Sequence, residues 1–85
     1  MAYYAAILHM LDKEKNLEVR PRHIEYLDKL DQKGKIFARG PYADGSGGLV
    51  VYIADSYEEA LSLAEKDPHV IYKSRRLELK EWIMI

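Results

Sequence analysis

Two stretches of this chain, Tyr3–Leu8 and Leu49–Ala54, are apolar at odd and even positions alike. A strand with one wet face alternates, so a strand that does not alternate must be dry on both sides. Leu49–Ala54 is also rich in β-branched residues, which makes it the clearest strand in the sequence. Burying both sides of both segments is a heavy demand on 85 residues. A chain of this length is one domain and buries only ~60% of the surface its unfolded form exposes. It has no cysteine, so disulfides, thiolate metal sites and cysteine nucleophiles are excluded. Support must come from packing or from a second subunit.

The remaining elements fall between these strands. Asp12–Glu18 is charged and irregular and predicts a solvated loop. Arg20-Pro21-Arg22 opens a helix, with Pro21 in the first turn, where its missing N–H costs nothing. His23, Leu27 and Leu30, with Ile24 beside them, form its apolar stripe, and Gly34 is its stop. Lys35–Arg39 predicts a strand ended by Gly40-Pro41, and Tyr42–Gly48 a long turn. Ser56 and Glu59 match a capping box for a helix burying Tyr57, Ala60, Leu61 and Ala64, which Asp67-Pro68 terminates. Leu77 and Leu79 alternate with Glu78 and Lys80 in a last strand that leads into Trp82-Ile83-Met84-Ile85.

The order is β-α-β-β-α-β, an α+β, ferredoxin-like plan with a four-stranded antiparallel sheet in a single domain over residues 1–85. Two helices cover one face of such a sheet. The first and third strands are central in this topology, so the open face would expose more apolar surface than monomers tolerate. Tyr4, Ala6, Val50 and Tyr52 are the residues expected on that face. Packing it on its own copy across a two-fold axis solves the problem, so a homodimer is expected.

Composition narrows the partners. The chain is 48% hydrophobic and 32% charged, which excludes intrinsic disorder. With 13 Lys and Arg against 14 Asp and Glu, its formal charge is −1, which argues against nucleic acid and anionic membrane as partners. No stretch approaches the ~20 apolar residues of a membrane span, and the N-terminus lacks a signal-peptide layout, so a soluble cytoplasmic domain is expected.

Topology brings His9, His23, the Tyr42–Gly48 turn, Asp67, His69 and the start of the last strand to one rim. His23 is the candidate for chemistry, because an imidazole titrates near ~6.5 and can both take and give a proton. A carboxylate on one ring nitrogen would fix the tautomer and strengthen the other as a base. Asp67 is the preferred partner and Asp44 the second choice. Asp67 could equally be an ordinary cap on local amides. The glycine-rich turn leads into a strand and carries no Gly-Lys-Ser or Gly-Lys-Thr, so no nucleotide is expected there. His9, His23 and His69 lack metal-ligand spacing, and neither metal nor cofactor is expected. Tyr42, Tyr72, Ser74 and Arg75 could line the rim as groups for an anionic or aromatic small molecule.

The ordered set Arg20-Pro21-Arg22-His23, Gly34-Lys35, Ala38-Arg39-Gly40-Pro41, Gly47-Gly48, Glu59-Ala60 and Asp67-Pro68 resembles the YCII-like (YciI-related) family over nearly the whole chain. The resemblance implies a dimeric α+β barrel of the muconolactone-isomerase type, with a His–Asp dyad in a pocket at the subunit border. Carried onto this sequence, the dyad is His23 with Asp67, and Asp44 is the alternative. The chain departs from the pattern at His69, where an aromatic residue often follows Asp-Pro. It departs again at Lys73-Ser74-Arg75-Arg76, which replaces a more apolar, glycine-containing stretch.

The function expected is cofactor-independent proton transfer, of lyase or isomerase type, on a small metabolite. The alternative is a non-catalytic ligand-binding or dimerisation module using the same rim. An RNA-binding reading of the same topology fails on the third strand, which lacks the paired aromatics that stack bases.

Overall fold

The computed structural model describes all 85 residues. The elements run β1 (Ala2–Met10), α1 (Lys13–Gln32), β2 (Ile36–Pro41), β3 (Gly47–Ala54), α2 (Tyr57–Glu65), α3 (Pro68–Ile71) and β4 (Arg75–Trp82). The sheet has the order β2-β3-β1-β4 with every neighbour antiparallel, the ferredoxin-like arrangement with β1 and β3 central. No helix is long and apolar enough to cross a membrane.

The stretch read as a loop at Asp12–Glu18 is helix. Asp12 caps it, its side chain accepting from Lys15 N at 3.0 Å, and α1 runs 20 residues. Asn16, Val19, His23, Leu27 and Leu30 are its buried stripe, spaced three, four, four and three residues apart, so the stripe extends back beyond His23. Pro21 therefore stands inside the helix and not in its first turn. Its missing N–H frees the carbonyl of Leu17, whose residue is exposed, so that water can take the lost bond.

Strand alternation puts Tyr4, Ala6 and Leu8 of β1 with Val50 and Tyr52 of β3 against the helices, in a core that includes Leu27, Leu30, Ile36 and Ala64. This reverses the expected assignment: Tyr4, Ala6, Val50 and Tyr52 are the covered set. The open face carries Tyr3, Ala5 and Ile7 beside Leu49, Val51 and Ile53, with Phe37 edge-on to Tyr3 at 5.1 Å. A run apolar at every position gives no cue to which parity faces in, so the register alone decides.

Ser56 caps α2 as expected, accepting from Glu59 N at 3.1 Å, but the Glu59 carboxylate turns to Lys35 at 3.4 Å. Tyr57, expected inside, is exposed. Leu61 is half-buried, and Leu63 packs on the core instead. The turn between β2 and β3 is shorter than expected, because Gly47 and Gly48 already pair with β1. Gly47 has φ of 143°, and a Cβ there would meet the carbonyl oxygen of Leu8 at 1.9 Å, so only glycine fits.

Candidate functional site

Asp67 does two things at once. It caps α3, its Oδ1 accepting from the backbone N–H of His69 at 2.9 Å, and it meets the ring of His23. His23 Nδ1 lies 2.8 Å from Oδ1 and 2.9 Å from Oδ2. The local cap and the long-range partner, alternatives in the sequence, are the same carboxylate. Asp67 is fully buried and His23 is 8% exposed, so the hydrogen bond operates away from bulk water. With Asp67 ionised, Nδ1 carries the hydrogen and donates it, leaving Nε2 as the free lone pair. Nε2 makes no hydrogen bond within the protein. His23 stands mid-helix on α1, and Asp67 reaches it because α3 packs against α1.

His69, fully buried, lies against the same ring, with centroids 4.2 Å apart and planes at 41°. Ser74 Oγ donates to the carbonyl of His69 at 3.2 Å, so it accepts from His69 Nδ1, 2.7 Å away. Burial, then the neighbouring His23 and Arg75, push the His69 pKa down to about 4, against the pull of Asp67. It is a neutral wall behind the functional imidazole. An imidazole depressed from ~6.5 when unfolded costs the native state nothing above that pH. As pH falls from ~6.5 toward about 4, the unfolded chain takes up the proton first and stability drops. We expect a loss of roughly 3 kcal/mol over this window, and His69→Gln should remove that share of the slope in urea unfolding measured at several pH values.

His23 lines a cavity of about 240 Å³ between α1 and the β2–β3 side of the sheet, with Arg20, Leu27, Arg39, Gly40 and Arg75 among its walls. The other residues expected at the rim divide. Arg75 is in the cavity wall. Ser74 is fully buried and committed to His69. Asp44 is exposed; the Ser46 side chain first, and then its backbone N–H at 2.9 Å, hold the carboxyl below the ordinary range and leave it a turn residue. Tyr42 belongs to the same turn, its N–H donating to Gly47 O at 2.8 Å. Tyr72 is exposed, beneath the guanidinium of Arg22 at 5.4 Å. His9 is a correction: it projects from the open face, with Nε2 2.9 Å from Glu78 Oε1, because odd positions of β1 point away from the helices. Arg20, Arg39 and Asn16 were not anticipated. The buried spacing of Asn16 with His23, seven residues apart on one helix face, was the signal that could have found it.

A ferredoxin-like α+β domain with a buried histidine–aspartate pair beside a small cavity is the class of protein defined so far. The family model of the YCII-related domain matches residues 1–83, and the chain belongs to that family. It is 38% identical over 80 residues, 94% of each chain, to the uncharacterized protein YjpA of Bacillus subtilis strain 168. Among solved structures it resembles the 5-chloro-2-hydroxyhydroquinone dehydrochlorinase TftG of Burkholderia phenoliruptrix AC1100, in complex with 2,5-dihydroxybenzoquinone. The TM-score is 0.79 with 21% identity, covering 98% of this chain and 94% of the other. That likeness is one of fold.

Proposed function

We propose that the protein is a homodimeric enzyme that moves a proton on a small metabolite with His23 as general acid–base and Asp67 as its orienting partner. The observation that carries the reading is the division of labour on one ring: Nδ1 is held by a buried carboxylate, while Nε2 has no partner in the protein, and His23 is one of the residues lining the cavity. Nε2 takes the proton from a carbon next to a carbonyl, leaving an enolate and an imidazolium that the Asp67 carboxylate balances. Returning the proton to another carbon completes an isomerisation; loss of a leaving group from the enolate completes an elimination. The named activity and ligand of the structural neighbour, a dehydrochlorinase with a dihydroxyquinone, belong to the same class of small oxygenated rings.

Leu49 belongs both to the cavity wall and to the open face, so its backbone links the site to the strand that a second subunit would cover. The test is solvent deuterium exchange, followed by NMR, into a panel of small cyclic ketones and enols that includes 5-chloro-2-hydroxyhydroquinone. His23→Gln should lower any protein-dependent exchange by at least about a hundredfold while leaving the circular dichroism spectrum unchanged. Exchange undiminished in the variant would refute the role of His23. Compounds bound by the wild type without exchange would favour the ligand-binding module.

A further inference from the structure

Arg75 is 5% exposed, yet no carboxylate lies within 4.0 Å of it. Its one hydrogen bond runs from Nε to Asn16 Oδ1 at 2.8 Å. A guanidinium carries five N–H donors in a planar fork, so its Nη edge is left without a partner in the protein. The Nη edge keeps contact with solvent, and the field of Asp67 favours the charge without an ion pair. A cation this far withdrawn from water is still costly, and native folds normally pair it. The chain does the opposite of avoiding the cost. At Gly48 a Cβ would stand 2.9 Å from both the Gly40 carbonyl oxygen and Arg75 Nη1, so the glycine that the β2 backbone requires also leaves room for the guanidinium. Asn16, itself buried, fixes the Nε side and thereby the plane of the fork. Both Arg75 and His23 lie in the wall of the same cavity, with Arg20 exposed at its mouth. Arg39, the third arginine there, is occupied by Asp28 at 2.6 Å and lies 3.7 Å from Asp31.

We infer that the missing counter-charge is the ligand: the cavity takes a small organic anion whose carboxylate, or ionised enol oxygen, is bound by the Nη edge of Arg75 with Asn16 as positioning residue. This deepens the reading of His23 as a proton-transfer residue, and rests on it for the ligand being a substrate. An anion so held would have its acidic C–H in the same cavity as Nε2, and the guanidinium would stabilise the negative charge that proton abstraction creates. The cavity of about 240 Å³ is below the ~300–1,000 Å³ of drug-sized sites, which limits the anion to a single ring or a short chain.

The experiment is an NMR titration of the full chain with benzoate and salicylate and with their neutral amides, benzamide and salicylamide, following the backbone amides of Gly40 and Gly48. The acids should bind at least about tenfold more tightly than the amides. Arg75→Met should erase that preference while its melting temperature holds or rises, because an unpaired buried charge has been replaced by an apolar side chain. Arg76→Gln, on the exposed side of β4, should keep the preference. His23→Gln should also keep it within about threefold, so loss of exchange activity and loss of anion binding are separable results. Amides binding as well as acids, no binding of either acid, or a preference that survives Arg75→Met would each overturn the inference. So would a marked fall in the melting temperature of Arg75→Met, which would make the guanidinium a structural group.

Discussion

Asp67→Ala is expected to cost the fold about 3–6 kcal/mol, from two charge-assisted hydrogen bonds at roughly 1.5–3 kcal/mol each. The loss is large against the 5–15 kcal/mol that hold a typical domain. The carboxylate is fully buried, and its removal leaves the N–H of His23 and the first N–H of α3 without an acceptor. Asp67→Asn should behave differently. Its amide oxygen can take the place of Oδ1 and keep both bonds, so the stability loss should be about 1 kcal/mol, and the charge alone disappears. Turnover on any substrate found should then fall by about 10²–10⁴-fold, because the partner that fixes the tautomer and balances the imidazolium has become neutral. Urea unfolding of both variants, read beside their activity, separates the two roles. If Asp67→Ala unfolds within 1 kcal/mol of wild type, the capping and pairing bonds contribute far less than their burial implies.

Strand order and topology were legible because each strand and long helix carries its own local signal: β-branched runs, the Ser56 cap, and glycines at the turns. The short α3 was not, because Asp67-Pro68 reads as the end of one helix and here also starts another. The reach of α1 was not, because Asn16 is a polar residue on a buried stripe and Pro21 reads as a start. Position in the helix changed accordingly, from its first turn to its middle, yet the His23–Asp67 encounter survived, since it depends on α3 packing on α1 and not on where α1 begins. His9 was misplaced because in a run apolar on both sides nothing fixes parity. Its partner Glu78, on the alternating strand β4, was the better guide to the open face. Lys73, at φ 59°, occupies a left-handed position that glycine would hold without strain, in the stretch where the sequence departs from the family pattern. The two residues that follow Lys73 are Ser74, committed to His69, and Arg75 of the cavity wall. Arg75 gave no sequence signal of burial, for arginine is seldom buried unpaired.

The open face sets the second large effect. Tyr3, Ala5, Ile7, Leu49 and Ile53 form a half-buried apolar field on β1 and β3, with Val51 on the same side already buried and Phe37 half-exposed and Trp82 44% exposed at its margins. Charge is confined to the β4 side, where His9, Glu78 and Lys80 sit. Covering such a field with its own copy would bury ~800 Å² per subunit, about 20 kcal/mol of gross transfer free energy at ~25 cal/mol per Å². Only part survives the cost of association, but it is comparable with the whole stability of a small domain. Ile7 lies on the central strand β1, between Leu49 and Glu78, so Ile7→Lys places a cation inside the field while leaving the helix-facing core untouched. Light scattering at low micromolar concentration should report twice the 9.9 kDa chain mass for the wild type and a single chain for Ile7→Lys. The melting temperature of the wild type should rise with concentration and that of the variant should not. Lys29→Glu, on the outer side of α1, should change neither. A wild type that scatters as one chain would remove the dimer.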